Sequence, residues 1–528
     1  MSLATREASG LVFASLERSA ARAPEAVALV EATRGVTRYG ELVEDVWRFA
    51  RALQARGVRR GDRVLIALDN SRAFVTAYFG TMASGAVAVP LTPGRRSDRL
   101  APVIADCTPA ACITDPATLA EPAARQAIGS IGARFLFGNV DVGLACEPFA
   151  AAVSAERPDP FDARLIDQDL AAIVYTSGST GAPRGVMLRH RNIVANTESI
   201  VAYLGLTPAD RVMCVLPFYY VYGLSLLHTH LSVGGSIAIE NRFVYPNVVL
   251  DAMKAAQVTG FAGVPSTFVM LLQGADLASF ECPTLRYVTQ AGGNLPPARI
   301  REWVERGPQV PFYVMYGATE ASARLTYLPP GRLQAKLGSI GIEIPNVEIC
   351  VVREDGELAG VNEPGEIVAR GANIAAGYWN APAETAERFG PLGYRTGDLA
   401  YRDEDGYLFL VGRSQEFIKV GAQRIGPIEI ERVISEYPGV ADVAVVGVPH
   451  PLLGEAPIAI VRVSRGSPTP ADVQAFCRQH LPPYKVPVEV LFRAELPKTA
   501  VGKIDRRSLR DELTARRIDS SQRSATGA

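Results

Sequence analysis

The sequence predicts an α/β fold with a β-rich subdomain. A large N-terminal domain of helix-covered, mostly parallel sheets plus a small barrel precedes a small α+β C-terminal domain. Three observations predict it. Short β-rich apolar runs alternate with helical patterns through the first part of the chain, the signature of parallel strands covered by helices. After about residue 335 the texture changes to short strands joined by Gly, Asp and Asn turns. The 528 residues also exceed the roughly 250–300 at which a single core stops growing.

The elements follow in order. "YGELVEDVWRFARALQARG" (39–57) reads as an amphipathic helix. Leu42, Val43, Val46, Phe49, Ala50 and Leu53 share one face and Gly57 is the stop. "RVLIAL" (63–68), "VAVPL" (87–91) and "AAIVYT" (171–176) read as strands. So do "RVMCVLPF" (211–218), "SIAIE" (236–240), "GFAGVP" (260–265) and "FYVMYG" (312–317). A helix is expected from about His190. "NVEICVV", "GEIVARG" and "GYRTGDLAYRDEDGYLFLVGR" supply the barrel or meander. In the last part, "PIEIERVISEY" (427–437) is a Pro-started helix, "VADVAVVGV" a strand and "TPADVQAFCRQHL" a helix. The expected boundaries are 1–412 for the large domain, 413–416 for a hinge, 417–515 for the small domain and 516–528 for a disordered tail.

Composition excludes several classes. Net charge is −1, so there is no electrostatic case for nucleic acid or anionic membrane. Seven Cys with no CxxC pair argue against a disulfide framework or zinc site and fit a reducing cytoplasm. "MSLATREASG" lacks a basic region followed by an apolar one, so no signal peptide is expected. No apolar run approaches the roughly 20 residues of a membrane span.

"YTSGSTGAPRG" (175–185) is the first stretch that points to chemistry. Between a strand end and a helix start, glycines let backbone N–H groups close round an anion, and Ser and Thr hydroxyls add donors. By itself it reads equally as a flexible linker. It does not stand alone. In order the chain carries "AGGNLP" (291–296), "MYGATEAS" (315–322), "KLGSIG" (336–341), "GEIVARG" (365–371), "YRTGDLA" (394–400), "GRSQEFIKVGAQRIGPIEIE" (412–431) and "LPKTAVGKIDRR" (496–507). From end to end this series resembles the adenylate-forming superfamily: acyl- and aryl-CoA synthetases, peptide-synthetase adenylation domains and luciferases. Amide-forming ligases of the coronafacic acid ligase type fall in the same group.

The resemblance implies an acid ligase using ATP and Mg²⁺, in which carboxylate and ATP give an acyl-adenylate and pyrophosphate. Thr176, Ser177, Gly178, Ser179, Thr180 and Gly181 are then expected to cradle the β- and γ-phosphates. Arg184 is the loop cation, where the family usually has Lys. Thr319 is expected at the α-phosphate and Glu320 at Mg²⁺. Gly292, Gly293 and Asn294 flank adenine, with Tyr316 packed on the ring. Asp398 accepts the ribose hydroxyls, a task suited to an acceptor-only carboxylate, and Arg413 reaches ribose or phosphate. Lys503 is expected to enter from the small domain and bridge carboxylate and α-phosphate. After adenylation the small domain rotates about Gln415, and Lys419, Gly421 and Ala422 line the acceptor path. The family most often has Gly at Ala422, where a Cβ narrows a pantetheine tunnel.

For the acid, "LPFYYVYGLSLLHTHL" (216–231) is the informative segment. No acidic residue lies between 211 and 239, so an α-amino acid, whose ammonium would need a partner, is disfavoured. Tyr220, Tyr222, Phe261, Gly263, Val264 and the small Ala291 and Gly317 predict an apolar pocket for an aromatic, alicyclic or medium-chain acid. His228 and His230 are expected to be packing or surface residues. The leading acceptor is the thiol of CoA or of a carrier protein's pantetheine. An amine or amino acid is the alternative. A nucleotide-binding relative without catalysis is a third reading, opposed by Lys503, Asp398 and Glu320.

Overall fold

The computed structural model describes residues 10–32, 34–94, 100–138, 140–177, 183–243, 245–413, 416–421, 423–450, 452–463, 466, 468–498 and 504–525, with the side chains of 177, 424 and 517–525 excepted. Four sheets organise it. A seven-stranded sheet runs, edge to edge, through Glu147–Pro148, Ala133–Leu136, Ala111–Thr114, Arg63–Ala67, Val87–Pro90, Leu170–Ser177 and Pro183–Arg189. All its neighbours are parallel except the last pair. A nine-stranded sheet has a parallel centre made of Phe312–Tyr316, Tyr287–Gln290, Gly260–Gly263, Arg211–Cys214, Ser236–Ile239 and Val27–Glu31. Antiparallel strands close both of its edges. Burial on both faces is why these short strands read as continuous apolar runs with no alternation.

Helix Tyr39–Ala55 buries Leu42, Val46, Phe49, Ala50 and Leu53, and Gly57 follows it with φ +81°. Helix Arg72–Ala83 is apolar all round, and every residue after Arg72 is buried. Phe74 meets Phe218 at 5.4 Å and Tyr78 stacks on His228 at 5.6 Å. His228 and His230 are packing residues. His228 Nε2 meets the Tyr78 hydroxyl at 3.0 Å and His230 Nε2 the Tyr287 hydroxyl at 2.9 Å.

The β-rich part is a five-stranded antiparallel sheet of Val347–Val352, Gly365–Gly371, Gly393–Arg402, Phe389–Gly390 and Leu408–Arg413. The next strand, Ile418–Val420, belongs to a different sheet, with Gln423–Ile425, Gly454–Val463, Val440–His450 and Glu489–Phe492. Helices Pro427–Ser435 and Pro470–His480 pack on it around Ile418, Ile430, Ile434 and Val473. The small part touches the large one where Arg299 donates to the Val440 carbonyl, Arg301 pairs with Glu436, and Arg462 reaches Gln273 at 3.3 Å.

Two differences from the sequence reading stand out. Residues 183–189 form a strand, antiparallel to Leu170–Ser177, so the Gly-rich stretch joins a hairpin instead of leading into a helix. Helix His190–Leu204 starts only afterwards, so its N-terminal dipole is not at the loop. At the other end, helix Arg506–Ala525 carries the backbone across most of 516–528, where a disordered tail is expected. Its polar composition is offset by pairs such as Glu512 and Arg516, one turn apart at 2.8 Å. Among the described residues no helix is long and apolar enough to cross a membrane.

Candidate active site

The parallel strands of the nine-stranded sheet end together, and chain segments leaving those ends form the site, as expected for open α/β sheets. Tyr287–Gln290 runs into Ala291–Asn294, and Phe312–Tyr316 into Gly317–Glu320. Gly317 has no room for a side chain: a Cβ there would lie 2.0 Å from the Ala323 carbonyl oxygen. Gly292 holds φ +83° and a Cβ would meet Val264 at 3.0 Å. Gln290 Nε2 donates to the Gly293 carbonyl at 2.9 Å, fixing the strip, and Asn294 is exposed.

Tyr316 is buried, and its hydroxyl donates to Asp398 Oδ2 at 2.7 Å. Arg413 Nε donates to Oδ1 of the same carboxylate at 3.0 Å. Asp398 and Arg413 face each other across adjacent antiparallel strands. Burial and the neighbouring carboxylate push the Tyr316 hydroxyl well above its ordinary pKa, so it stays a donor. Among the described residues each Asp398 oxygen has one protein donor, which leaves acceptor capacity on both.

A second group joins the Gly-rich hairpin to the turn Thr319–Ala321. Thr176 stands opposite Arg184 in the hairpin register. The Arg184 guanidinium pairs with Glu384 and lies 5.1 Å over the Tyr378 ring. The Tyr378 hydroxyl donates to Glu320 Oε1 at 2.8 Å. Burial, then Glu320, raises the Tyr378 pKa, so it too remains a donor. Thr319 is half-buried at the start of that turn. Tyr378 therefore links Arg184 to Glu320, which follows Tyr316 by four residues, while Tyr316, Asp398 and Arg413 are bonded to one another directly; the sequence pointed to neither Tyr378 nor Glu384. Gly178, Ser179, Thr180, Gly181, Gln415, Ala422, Lys503 and the Ser177 side chain lie outside the described residues.

The acid pocket needs two corrections. Phe261 is packed against Phe268, at 6.2 Å, on the face opposite Tyr222. Gly263 shares that face, where a Cβ would meet Thr267 and Phe268. Both serve the packing of helix Pro265–Gly274, because successive strand residues alternate faces. Ala262, Ala291, Met315 and Tyr222 belong to one cluster, with Val264 packed on it. The Tyr222 hydroxyl contacts Thr289 Oγ1 at 3.0 Å. Tyr220 precedes helix Val221–Val233 and packs edge-on against Tyr219 at 4.7 Å. One residue of this region went unread: Arg324, 3% exposed, with its guanidinium 4.1 Å from the centre of the Tyr222 ring. The available signal was its being the one charge between Glu320 and Arg332.

On the small part, Lys419 and Gly421 lie on the hairpin of Ile418–Val420 and Gln423–Ile425. Both are exposed, and Gly421 N–H donates to the Leu453 carbonyl at 2.7 Å.

Comparison with known proteins adds the family. The AMP-binding enzyme family matches residues 16–379, and the AMP-binding enzyme C-terminal domain matches residues 429–503. A long-chain-fatty-acid–CoA ligase of Bacillus subtilis is 31% identical over 94% of each chain. ATP-bound MatB from Rhodopseudomonas palustris superposes with TM-score 0.85 at 29% identity, over 96% of this chain and 99% of that one. The amide bond synthetase McbA from Marinactinospora thermotolerans gives 0.86 at 27%, over 95% and 99%. The chain belongs to the AMP-binding enzyme family, and is an ATP-using, AMP-forming acid ligase of the adenylate-forming superfamily.

Proposed function

We propose that this chain activates an aromatic, alicyclic or medium-chain carboxylic acid as its adenylate and passes the acyl group to the thiol of CoA or of a carrier protein's pantetheine. The observation that carries the reading is the Tyr316–Asp398–Arg413 set at the same strand ends as Glu320. Asp398 keeps lone pairs for two ribose hydroxyls, while Tyr316 and Arg413 fix its orientation. Gly292 and Gly293 let backbone approach the base closely. Thr319 stands at the α-phosphate, and Arg184 contributes a two-pronged grip on the phosphates beyond it. Among the described residues Glu320 takes one hydrogen bond, on one oxygen, and it offers a hard oxygen donor of the kind Mg²⁺ prefers. When bound there, Mg²⁺ draws charge off the phosphate oxygens.

Catalysis on this reading is positioning and charge neutralisation. Lys503 brings a compact positive charge between the attacking carboxylate and the α-phosphate. Pyrophosphate leaves, the small domain turns about 413–416, and Lys419 and Gly421 come to the acceptor path. The seven unpaired cysteines fit the cytoplasm. Amide formation with an amine is the second reading. It is favoured by Ala422, which narrows a thiol tunnel, and by the likeness to an amide bond synthetase. Pyrophosphate release with an acid panel, followed by mass spectrometry with CoA or amines as acceptor, tests both. A CoA thioester supports the first reading; amide without CoA replaces it with the second. No release with any acid removes both.

A further inference from the structure

Arg324 is a buried cation with no acidic partner among the described residues. No ion pair joins it to a carboxylate among the described residues, and its hydrogen bonds go to neutral groups. Nε donates to the Met315 thioether at 3.4 Å and Nη1 to the carbonyl of its own neighbour Ala323 at 3.0 Å. The Tyr203 hydroxyl is a third partner, and a guanidinium with five N–H donors keeps capacity beyond these three neutral acceptors. The plane of Tyr222 stabilises the charge from one side. Tyr203, whose hydroxyl donates to Met315 Sδ at 2.9 Å and whose ring stacks on Tyr327 at 4.3 Å, walls the same space.

The backbone of Arg324 is held firmly. Its carbonyl accepts from Asn196 Nδ2 and Asn373 Nδ2, each at 3.0 Å. Its Cα sits against Gly317, where a Cβ would come within 2.8 Å. Gly317 is two residues before Thr319, so the arginine is rooted beside the turn assigned to the α-phosphate. From there its side chain extends across Tyr222, the aromatic wall of the acid pocket. A burial site that needed only packing would take an apolar side chain at no electrostatic cost, whereas an unpaired buried charge is costly.

We propose that Arg324 is the counter-charge for a second acidic group on the substrate. The acid activated here is then a dicarboxylic acid, one carboxylate facing the α-phosphate and the other gripped by the Arg324 guanidinium in a two-pronged pair. This rests on the acid-ligase reading and narrows its substrate class. The aromatic walls suit a ring or short chain between the two carboxylates.

The test uses matched acids with the full-length protein: benzoate against isophthalate and terephthalate, cyclohexanecarboxylate against its 1,4-dicarboxylate, hexanoate against adipate, and the methyl half-esters as neutral isosteres. Pyrophosphate release gives kcat and KM for each with the unmodified chain, Arg324→Lys and Arg324→Met. The unmodified chain is expected to prefer at least one diacid over its monoacid and half-ester by about tenfold or more in kcat/KM. In Arg324→Met that ratio falls by about 10²-fold, chiefly through KM, and Arg324→Lys restores part of it. A preference for monoacids or half-esters in the unmodified chain overturns the proposal without any variant. Equal losses for both classes in Arg324→Met overturn it too, since they mark a purely structural arginine. Release with monoacids alone sinks this inference and leaves the ligase reading standing; no release with any acid sinks both.

Discussion

On the proposed reading, Glu384 and the ATP phosphates compete for the Arg184 guanidinium. Arg184 is 14% and Glu384 31% exposed in their side chains, so the pair is partly shielded from water. Phosphate oxygens can use the guanidinium only by sharing or displacing that carboxylate. Replacing Glu384 by Gln removes the charge and keeps the shape. Exposed ion pairs are worth about 0.2–1 kcal/mol and hydrogen bonds to charged groups about 1.5–3 kcal/mol. A half-shielded pair falls between them, at about 1.5 kcal/mol, which is roughly a tenfold change in an equilibrium constant. Glu384→Gln is therefore expected to tighten ATP binding by about tenfold, measured by calorimetry without acid, and to tighten product inhibition by pyrophosphate in parallel. An affinity for ATP that is unchanged or weaker would refute the competition. It would mean that Glu384 holds Arg184 in its working position, with the tie kept when phosphate is bound.

The remaining predictions are briefer. Burial depresses the pKa of His228 to about 3 and of His190 and His230 to about 4. The unfolded chain protonates these rings near 6.5, so their stabilising contribution is complete above that pH and is lost as pH falls towards 4. The loss is about 2 kcal/mol per ring at pH 5. Urea unfolding at pH 7 and 5 should show it, and ring protonation near pH 6.5 in the folded protein, read by NMR, contradicts it. Gly317→Ala forces a Cβ to within 2.0 Å of the Ala323 carbonyl oxygen. It should cost about 3 kcal/mol or more in unfolding free energy and displace Thr319, so near-normal stability and activity together count against the close approach. Lys503→Ala should abolish pyrophosphate release while leaving ATP binding largely intact; normal release rejects the role assigned to it.

What the sequence made legible was whatever repeats locally. Alternating apolar runs reveal the parallel sheets, and the i, i+3, i+4 pattern of 39–57 reveals its helix. The strand at 183–189 escaped because Pro183 and Gly185 read as loop punctuation, while the pairing that makes it a strand is supplied by 170–177. Phe261 and Gly263, expected in the acid pocket, lie on the face opposite Tyr222 for a related reason. "GFAG" is buried on both sides and has no polar residue to break the symmetry. Only its neighbours, Phe268 on one face and Tyr222 on the other, decide it. Tyr378, Glu384 and Arg324 carry no motif at all. Their importance comes from contacts across the fold, such as the 58 residues between Glu320 and Tyr378.

Those long-range contacts say how the proposed site can report its occupancy to the small domain. Arg184 stands on the seven-stranded sheet, Tyr316 ends a strand of the nine-stranded sheet, and Asp398 and Arg413 belong to the antiparallel one. Tyr378 and Glu320 tie the first to the second, and Tyr316 and Asp398 tie the second to the third. Asp398, the proposed ribose ligand, is thus bonded directly to Arg413, the last residue of its strand and the first of the proposed hinge 413–416. A hinge needs a fixed point on one side of it, and this ion pair supplies one whose strength depends on what else the carboxylate is holding. On the proposed reading, ribose hydroxyls that share Asp398 with Arg413 change how tightly the first hinge residue is held. In the proposed mechanism, the trigger for rotation is the change in charge at the phosphates when pyrophosphate leaves, sensed by Arg184, while the nucleotide still holds Arg413 through Asp398.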